Sequence, residues 1–352
     1  MRSGTTRWAV PFCLAATLFA AAPAAADEIS DFYSGRTLTV VVPVTPGGTF
    51  HLYGQLVQAH IGKFIPGKPT VILQNRPGAG GVSANAFMAN AAPKDGTVFA
   101  EINPGTMTYP LMRPSRYDPR LFEWMGSVAV RGYVGAIWHT VEADTIEKMK
   151  KTQVILGATG TGSQNYQIPA LMNHLIGTKY KLVTGYKGGG DVNLAIERGE
   201  VQGRANFYEG FVGATPQWIR DKKLKFFFVV GPPVPELPNV PMLKDVITST
   251  EGRQMLKLIE STLEVGQAFF LPPGTPKARV DAMAAAFDRM VKDKTFLADA
   301  QRHQLLIEPR TGAQVHKEIM ETYATPPEIA KKLAQILGMD TGGGGGKKGK
   351  KK

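Results

Sequence analysis

Cysteine is almost absent from this chain: its only example, Cys13, lies near the start. The residues before it, Val10-Pro11-Phe12, are not the small residues that precede a lipid-modified cysteine. A chain of 352 residues can bury a core large enough to fold without disulfides. With a single cysteine, the chain cannot form an internal disulfide. If the segment that contains Cys13 is removed from the mature protein, the remaining chain has no thiol chemistry either.

Long apolar runs are scarce as well, and the only one covers residues 8–22. It is shorter than the roughly 20 residues that a membrane-spanning helix needs. Arg2 and Arg7 precede it, and the small residues Ala24-Ala25-Ala26 follow it. This order is typical of a secretory signal peptide rather than a membrane anchor. We expect residues 1–26 to be removed and the mature protein to be soluble.

The positive charge is concentrated at the two ends of the sequence. The formal net charge is +12, but Arg2, Arg7 and five lysines between 347 and 352 account for seven of these charges, which leaves about +5. The remainder forms no basic stripe, so we predict no nucleic-acid partner, whereas a mildly positive body suits an anionic ligand. The Gly-Lys tail, residues 341–352, has no apolar side chains to bury, and we expect it to be disordered.

Patterns of metal binding and catalysis are missing too. Ser163 follows Gly160-Thr161-Gly162 but lacks the glycine two residues later that a nucleophile elbow needs. We expect Ser163 to be the N-cap of a helix and a hydrogen-bond donor to a ligand. No metal-ligand spacing is found among the six histidines, which are His51, His60, His139, His174, His303 and His316. The sequence therefore predicts no enzyme, no metal and no cofactor, and a secreted hydrolase stays the less favoured alternative.

The segment Val154–Gly160 resembles the start of a dinucleotide-binding unit, because a short strand leads into a glycine-rich turn. Such a unit needs an acidic residue at the end of the next strand to bind the ribose hydroxyls. Lys181-Leu182-Val183-Thr184 supplies none. We therefore predict that no dinucleotide binds there.

Strand and helix signals alternate along the chain in two series. The first contains strand-like runs at 38–42, 71–73 and 97–100, with helical spacing between them. The second contains runs at 154–156 and 181–183 and helices at 163–176 and 191–198. Each series predicts a mostly parallel central sheet flanked by helices. A Pro-rich loop, 231–241, suggests the place where the chain returns from the second unit to the first.

We expect two lobes from these two series. The first lobe is predicted to be discontinuous, with residues 27–130 and 241–340, and the second to contain residues 131–240. An apparent strand at Ala268–Leu271 belongs to the returning part of the first lobe.

Four glycine-rich turns follow predicted strands and precede predicted helices. We name them turn 1 (43–49, PVTPGGT), turn 2 (75–81, NRPGAGG), turn 3 (157–163, GATGTGS) and turn 4 (185–191, GYKGGGD). In an open α/β sheet, ligands bind beyond the carboxyl ends of the strands. The first N–H groups of each helix lack internal partners there and attract carboxylate oxygens, and glycine allows a close approach. Two turns in each lobe therefore predict an anion site between the lobes.

The order of these turns resembles a known family. Pro-x-x-Pro-Gly-Gly at 43–48 is followed by Asn-x-Pro-Gly-Ala-Gly-Gly at 75–81 and by Ala-Pro-x-Asp-Gly-Thr at 92–97. The series continues through turn 4 and through the proline-rich motifs at 237–241 and 271–276. Together these motifs resemble the periplasmic substrate-binding receptors of tripartite tricarboxylate transporters, the Bug receptors, over nearly the whole mature chain.

The resemblance implies a two-lobed Venus-flytrap fold of the type II periplasmic-binding-protein class. It implies a monomeric periplasmic receptor that closes on a small carboxylate-bearing molecule and delivers it to a membrane permease of one large and one small subunit. Family ligands are mostly di- and tricarboxylates, with some aromatic acids, amides and amino acids. A receptor with the same fold that signals to a membrane sensor kinase is the alternative.

The resemblance also implies which residues contact the ligand. In the first lobe these are Thr45, Gly47, Gly48, Thr49, Gly80 and Gly81. In the second lobe they are Thr159, Ser163, Tyr186, Gly189 and Gly190.

Three further residues bear on the site. The family usually has an aspartate shortly after the first Pro-Gly-Gly, whereas this chain has Thr49-Phe50-His51. His51 would either donate a hydrogen bond to a more anionic ligand or only pack against the start of the helix. Asp191 is expected to be an N-cap, because a bare carboxylate repels an acid. Tyr208 follows a short predicted strand and is placed at the floor of the cleft or in the hinge.

Overall fold

The computed structural model describes residues 22–339, with side chains from residue 28 onward. The predicted disordered tail, 341–352, lies outside the described residues. So does the predicted signal peptide, 1–26, apart from residues 22–26, whose backbone forms the start of the first helix.

The strands alternate with helices as the sequence predicts. The strands are β1 Thr37–Val42, β2 Thr70–Asn75, β3 Val98–Glu101, β4 Glu123–Ser127, β5 Tyr133–Trp138, β6 Val154–Gly157, β7 Tyr180–Val183, β8 Gly203–Phe207, β9 Leu224–Val230, β10 Ala268–Leu271 and β11 Arg310–Thr311. The helices are α1 Ala22–Tyr33, α2 Thr49–His60, α3 Val82–Asn90, α4 Tyr109–Met112, α5 Ile146–Lys151, α6 Gln164–Ile176, α7 Gly189–Glu197, α8 Glu209–Val212, α9 Pro216–Arg220, α10 Leu243–Val246, α11 Thr250–Val265, α12 Lys277–Met290, α13 Lys294–Arg302, α14 Gly312–Tyr323 and α15 Pro327–Ile336.

These strands form two separate mixed sheets, flanked by helices. The first has the order β11-β4-β10-β3-β1-β2 and the second the order β7-β6-β8-β5-β9. In each sheet three strands are parallel, β2-β1-β3 in the first and β7-β6-β8 in the second. The other pairings are antiparallel. The predicted α/β fold of two lobes is confirmed, but the parallel part is limited to three of the six strands in the first sheet and three of the five in the second.

Alternation of side chains along the strands places apolar residues on both faces of the first sheet. Val40 and Phe269 belong to a buried cluster with helices α1, α2 and α12. Val41 and Phe270, their chain neighbours, belong to a second cluster with α3 and α14. Successive residues of a strand point to opposite faces, so a run of consecutive apolar residues produces a sheet covered on both sides.

The second sheet is covered in the same way. Phe228 and Val230 lie in a cluster that includes residues of α6, α11 and α15, whereas Val134 and Val229 lie in a cluster with α7 and Trp218 of α9. Helix α11 therefore packs with the second sheet, although it follows the Pro-rich loop. The boundaries of the lobes stay a prediction.

The chain crosses between the sheets along two adjacent segments. Residues 128–132 lead from β4 to β5, and Gly266-Gln267 leads from α11 back to β10. The segments hydrogen-bond to each other, since Val128 N–H donates to Gln267 O at 3.0 Å and Gln267 N–H donates to Ala129 O at 2.9 Å. We call this pair of segments the hinge. The chain therefore re-enters the first sheet after α11, later than the Pro-rich loop suggests.

In the part of the chain that the structure describes, every helix is too short or too polar to span a bilayer.

Candidate functional site

Turn 1 of the first lobe lies against turn 4 of the second. Thr45 N–H donates to Lys187 O at 3.3 Å, and Thr45 Oγ1 donates to Asp191 Oδ2 at 3.0 Å. A Cβ atom placed on Gly48 would lie 3.1 Å from the Cα of Gly189. The two main chains thus approach as closely as glycine permits, and the contact joins the lobes.

Turn 2 lies against turn 3 in the same manner. A Cβ atom on Gly80 would lie 3.1 Å from the backbone nitrogen of Ser163, and one on Gly160 would lie 3.1 Å from the carbonyl carbon of Ala79. Gly80 has φ +67°, a left-handed conformation that favours glycine. The four turns that the sequence singles out therefore meet in two facing pairs between the two sheets.

Three helices begin at this junction with their first N–H groups free of side-chain caps. The N-cap residues of α2, α6 and α7 are Gly48, Ser163 and Gly188, and none of them makes a side-chain cap hydrogen bond. The first N–H groups of a helix have no partner within the helix and carry partial positive charge. The junction therefore offers main-chain donors from both lobes to an anion.

Between the turns lies a small polar cavity with walls from both lobes. The cavity has a volume of about 20 Å³, roughly enough for one water molecule. The lining residues are Val44, Gly48, Thr49, Phe50, Asn103, Tyr133, Thr159, Ser163, Gln164, Asn165, Gly189, Arg204 and Asn206. A larger molecule enters only when the lobes separate.

The wall of the second lobe contains a connected group of hydroxyl and amide side chains. Ser163 Oγ donates to Gly160 O at 2.9 Å and also contacts Asn165 Oδ1. Thr159 Oγ1 lies 2.8 Å from Ser163 Oγ, and Thr159 N–H donates to Asn165 Oδ1 at 3.2 Å. Ser163 occupies the N-cap position, as predicted, but its side chain does not cap the helix. The neighbours of the Ser163 hydroxyl are thus a hydroxyl, an amide oxygen and a main-chain carbonyl oxygen.

Arg204 brings a buried positive charge to the wall of the cavity, and the sequence analysis missed it. It lies in β8, is 3% exposed, and belongs to none of the ion pairs between described residues. Its Nη1 donates to Gly189 O at 2.7 Å and to Asn193 Oδ1 at 3.0 Å. Burial lowers the pKa of Arg204 to about 10, so the guanidinium stays charged at neutral pH.

Asn206, two residues further along β8, links the lobes. Its Oδ1 accepts a hydrogen bond from Thr49 Oγ1 of the first lobe at 3.3 Å, and it is 4% exposed. Arg204 and Asn206 are the polar members of the short strand Gly203–Phe207, but this alternation alone also fits a strand with one solvent-exposed face. Both point to the same face, since alternate residues of a strand do so.

The structure brings together only part of the predicted site. Five predicted residues line the cavity, namely Gly48, Thr49, Thr159, Ser163 and Gly189. Four others, Thr45, Gly47, Gly80 and Gly190, lie where the lobes touch. The remaining four, Gly81, His51, Tyr186 and Tyr208, are elsewhere. Which of the thirteen contact a ligand stays a prediction.

The residues outside the cavity have partners of their own. His51 Nδ1 lies 3.1 Å from Asn75 Nδ2, and burial lowers the pKa of this histidine. A Cβ atom on Gly81 would meet Asn103 Cβ at 3.0 Å within the first lobe, and Tyr186 lies beside Gly157. Tyr208 packs on Phe226, and its N–H donates to Gly132 O in the hinge at 3.3 Å.

Asp191 corrects a prediction. The N-cap of α7 is Gly188, and Asp191 lies in the first turn of the helix. Its Oδ2 accepts from Lys187 N–H at 3.1 Å and from Thr45 Oγ1 of the first lobe. The carboxylate thus fastens one lobe to the other instead of capping the helix.

Buried charges surround the hinge. Arg131 in the hinge forms an ion pair with Glu209, which follows β8, and lies 3.8 Å from Glu236. Burial raises the pKa of Glu209 to about 7, and Arg131 partly offsets that effect. Burial also raises the pKa of Glu101, at the end of β3, well above its usual value. The protonation of Glu209, beside the hinge, is therefore sensitive to pH near neutrality.

Comparison with known sequences finds remote relatives. No family model matches the chain. It is 26% identical over 279 residues to a UPF0065 protein from the ttuE-ttuC' intergenic region of Agrobacterium vitis, covering 76% of this chain and 74% of the relative. It is also 26% identical over 245 residues to a UPF0065 protein from the gbd 5' region of Cupriavidus necator, covering 66% of this chain and 70% of the relative.

Comparison with solved structures gives matches over most of the chain. The periplasmic binding protein BugD aligns with a TM-score of 0.69 and 20% identity, covering 88% of this chain and 99% of BugD. MatC of Rhodopseudomonas palustris, solved with bound malate, aligns with a TM-score of 0.68 and 20% identity, covering 85% and 99%. An R. palustris protein solved with adipate aligns with a TM-score of 0.67 and 18% identity, covering 86% and 97%. This chain therefore has the two-lobed fold of the Bug-type periplasmic binding proteins, and the resemblance that its motifs indicate is confirmed.

Proposed function

We propose that this protein is a periplasmic solute-binding receptor that captures a small carboxylate-bearing molecule between its lobes. It delivers that molecule to a tripartite tricarboxylate-type membrane transporter with one large and one small permease subunit. The observation that carries this proposal is the meeting of four glycine-rich turns in two facing pairs around a polar cavity. It acts as a monomer and catalyses no reaction.

The chemistry of the cavity favours a carboxylate. Uncapped N-termini of α2, α6 and α7 present main-chain N–H groups from both lobes. Such groups bind anions without any charged side chain, because the donors are oriented by the helix and carry partial positive charge. Hydroxyl and amide side chains such as Thr49, Thr159 and Asn165 then select among acids by hydrogen bonding and by shape.

Binding proceeds by closure of the lobes. The cavity belongs to both lobes, so a ligand in it contacts both of them only in the closed arrangement. A ligand shifts the balance between open and closed forms only by binding the closed form more tightly. The two hinge segments supply a place where rotation can occur between two rigid sheets.

The relatives support the class of ligand and the place where the protein works. Among structures with the same fold, BugD is a periplasmic binding protein, and two others were solved with the dicarboxylates malate and adipate. The sequence signals of a secretory signal peptide at 1–26 agree with the same compartment.

Thermal unfolding of the mature protein, residues 27–340, tests the proposal. The panel contains succinate, malate, adipate, citrate, benzoate and several amino acids, added to protein that has been unfolded and refolded to remove carried-over ligand. An acid at about a thousand times its Kd stabilises the folded state by about 4 kcal/mol, which raises Tm by several degrees. Absence of a shift with every acid would overturn the carboxylate assignment, and conversion of a bound acid to a product would indicate an enzyme.

Uptake tests the transport step. A strain that lacks the gene should take up the stabilising acid, radioactively labelled, more slowly than its parent, and the gene on a plasmid should restore the rate. Unchanged uptake with an altered transcriptional response to the acid would favour the sensor alternative.

A further inference from the structure

Arg204 is a buried cation, and it forms no ion pair with an acidic side chain of residues 28–339. Its side chain lies under the first turn of α7, where a Cβ atom on Gly189 would meet its Nη1 at 2.8 Å. Both recorded hydrogen bonds come from Nη1 and go to neutral oxygens, Gly189 O and Asn193 Oδ1. Since removal of a charge from water is unfavourable unless the charge is paired, such an arrangement points to an anion that pairs with it in another state.

One N–H group of this guanidinium can still donate to a further acceptor. Arg204 Nε is fully buried and makes no hydrogen bond in the described structure, and the residue lines the cavity. Buried donors almost always have a partner, so an orphan donor at a cavity is informative. Nε and one terminal nitrogen of a guanidinium form the fork that binds a carboxylate in bidentate fashion.

Asn206 provides a second orphan donor on the same face of β8. Its Oδ1 is bonded to Thr49 Oγ1, but its Nδ2 is buried and has no partner among the described residues. Residues two apart on a strand are about 7 Å apart along the backbone, a separation that one small anion can bridge. Arg204 and Asn206 therefore place two buried, unpaired donors in the wall of a single cavity.

We propose that Arg204 and Asn206 form an anion-specific subsite, in which an ionised ligand carboxylate accepts hydrogen bonds from Arg204 Nε and Asn206 Nδ2. This inference rests on the proposed function, because it assumes that the cavity is the ligand site. It adds a side-chain cation to the main-chain donors, so the cavity selects an ionised acid over the amide of the same shape. Any further carboxylate of the ligand binds at the helix N-termini.

The alternative role for Arg204 is structural. Its bonds to Gly189 O and Asn193 Oδ1 could serve only to hold the start of α7. The two roles differ in the protein without ligand. A purely structural arginine stabilises the unliganded protein, whereas an arginine retained for a ligand leaves it no more stable than a neutral side chain would.

The experiment compares Arg204→Gln with wild type by calorimetric titration and thermal unfolding. The probes are succinate, malate and adipate with their diamides. Arg198→Gln is the matched control. Arg198 is exposed in the same lobe and lies 3.9 Å from Glu200, and its replacement removes the same charge far from the cavity. We expect Arg204→Gln to weaken binding of the preferred acid by roughly 10- to 100-fold and to leave the affinity of the diamide nearly unchanged. The unliganded Tm should stay equal or rise.

Each other result has a distinct meaning. Equal affinity of Arg204→Gln and wild type for the acid would overturn the subsite and leave the proposed function intact. A lower unliganded Tm with an equal loss of affinity for acid and amide would assign Arg204 the structural role and overturn the subsite. Failure of wild type to bind any of the acids would reject the proposed function, and the subsite with it.

Discussion

The close approach of the two lobes at Gly48 and Gly189 provides a graded test of lobe closure. Gly48 has φ −124° and ψ 175°, extended angles that any residue adopts, so a larger side chain there imposes no backbone strain within the first lobe. Its Cβ atom would nevertheless lie 3.1 Å from both Cα and N of Gly189 across the junction. Replacement should therefore disturb the closed arrangement while leaving each lobe folded.

The size of the effect follows from this distance. Carbon atoms pack best at about 3.5–4.0 Å, so the Gly48→Ala change requires the lobes to move apart by about half an ångström. Overpacking of this kind typically costs about 1–3 kcal/mol. We expect Gly48→Ala to weaken ligand binding by roughly 5- to 100-fold and Gly48→Val to weaken it further.

The assay is titration of the preferred acid into each variant, with small-angle scattering to follow closure. Gly47→Ala is the matched control, because Gly47 has φ +87° and its Cβ atom would meet Gly190 Cα at an ordinary 3.5 Å. That change should lower the unliganded stability by about 1–2 kcal/mol through backbone strain. If Gly48→Val binds the acid as wild type does, the contact between turns 1 and 4 is not part of the ligand-bound form.

Three further predictions concern the hinge and the fastening between the lobes. The pKa of Glu209 is raised to about 7 in the folded protein from a usual 4.5. Between these two pH values the folded state therefore binds more protons than the unfolded state. The free energy of unfolding should then fall as pH rises through this range, by up to about 3 kcal/mol. Glu209→Gln should flatten this part of the profile of Tm against pH, and an unchanged slope would refute the assignment. Thr45→Val removes the bond to Asp191 across the junction and should weaken ligand binding roughly three- to tenfold in calorimetry with little effect on the unliganded Tm. Gly266→Ala places a Cβ atom 1.9 Å from Ala129 O in the hinge at φ +61°, and should lower Tm in thermal unfolding regardless of ligand.

The parallel part of each lobe is predictable because hydrophobic periodicity encodes it directly. A run rich in β-branched residues, such as Leu38–Val42, forms a strand buried on both faces, and the glycine turn after it fixes where α2 begins. The antiparallel half carries less information. Strand β4, Glu123–Ser127, mixes charged, aromatic and small residues, and its partners β10 and β11 lie far along the chain, so no local pattern reveals the pairing.

The candidate site also has one part that the sequence predicts and one part that it does not. Glycine turns between strands and helices are conspicuous in a sequence, whereas the pairing of turn 1 with turn 4 depends on how the lobes face each other, which no local signal determines. Arg204 escaped the sequence analysis because an isolated charge beside Gln202 and Gly203 resembles a solvent-exposed position. Only the sheet that buries β8 between β5 and β6 reveals it.

Because the uncapped N-termini of α2, α6 and α7 supply main-chain donors, such a cleft can change its ligand and still bind an anion. Donors that belong to the main chain are not lost by ordinary side-chain substitution, so the capacity to hold an anion survives most mutations of the cavity wall. Side chains such as Phe50 and Asn165 can then be exchanged to admit longer, aromatic or more hydroxylated acids. Redesign of this protein as a sensor for a chosen acid would begin at those two positions, with the glycines left unaltered.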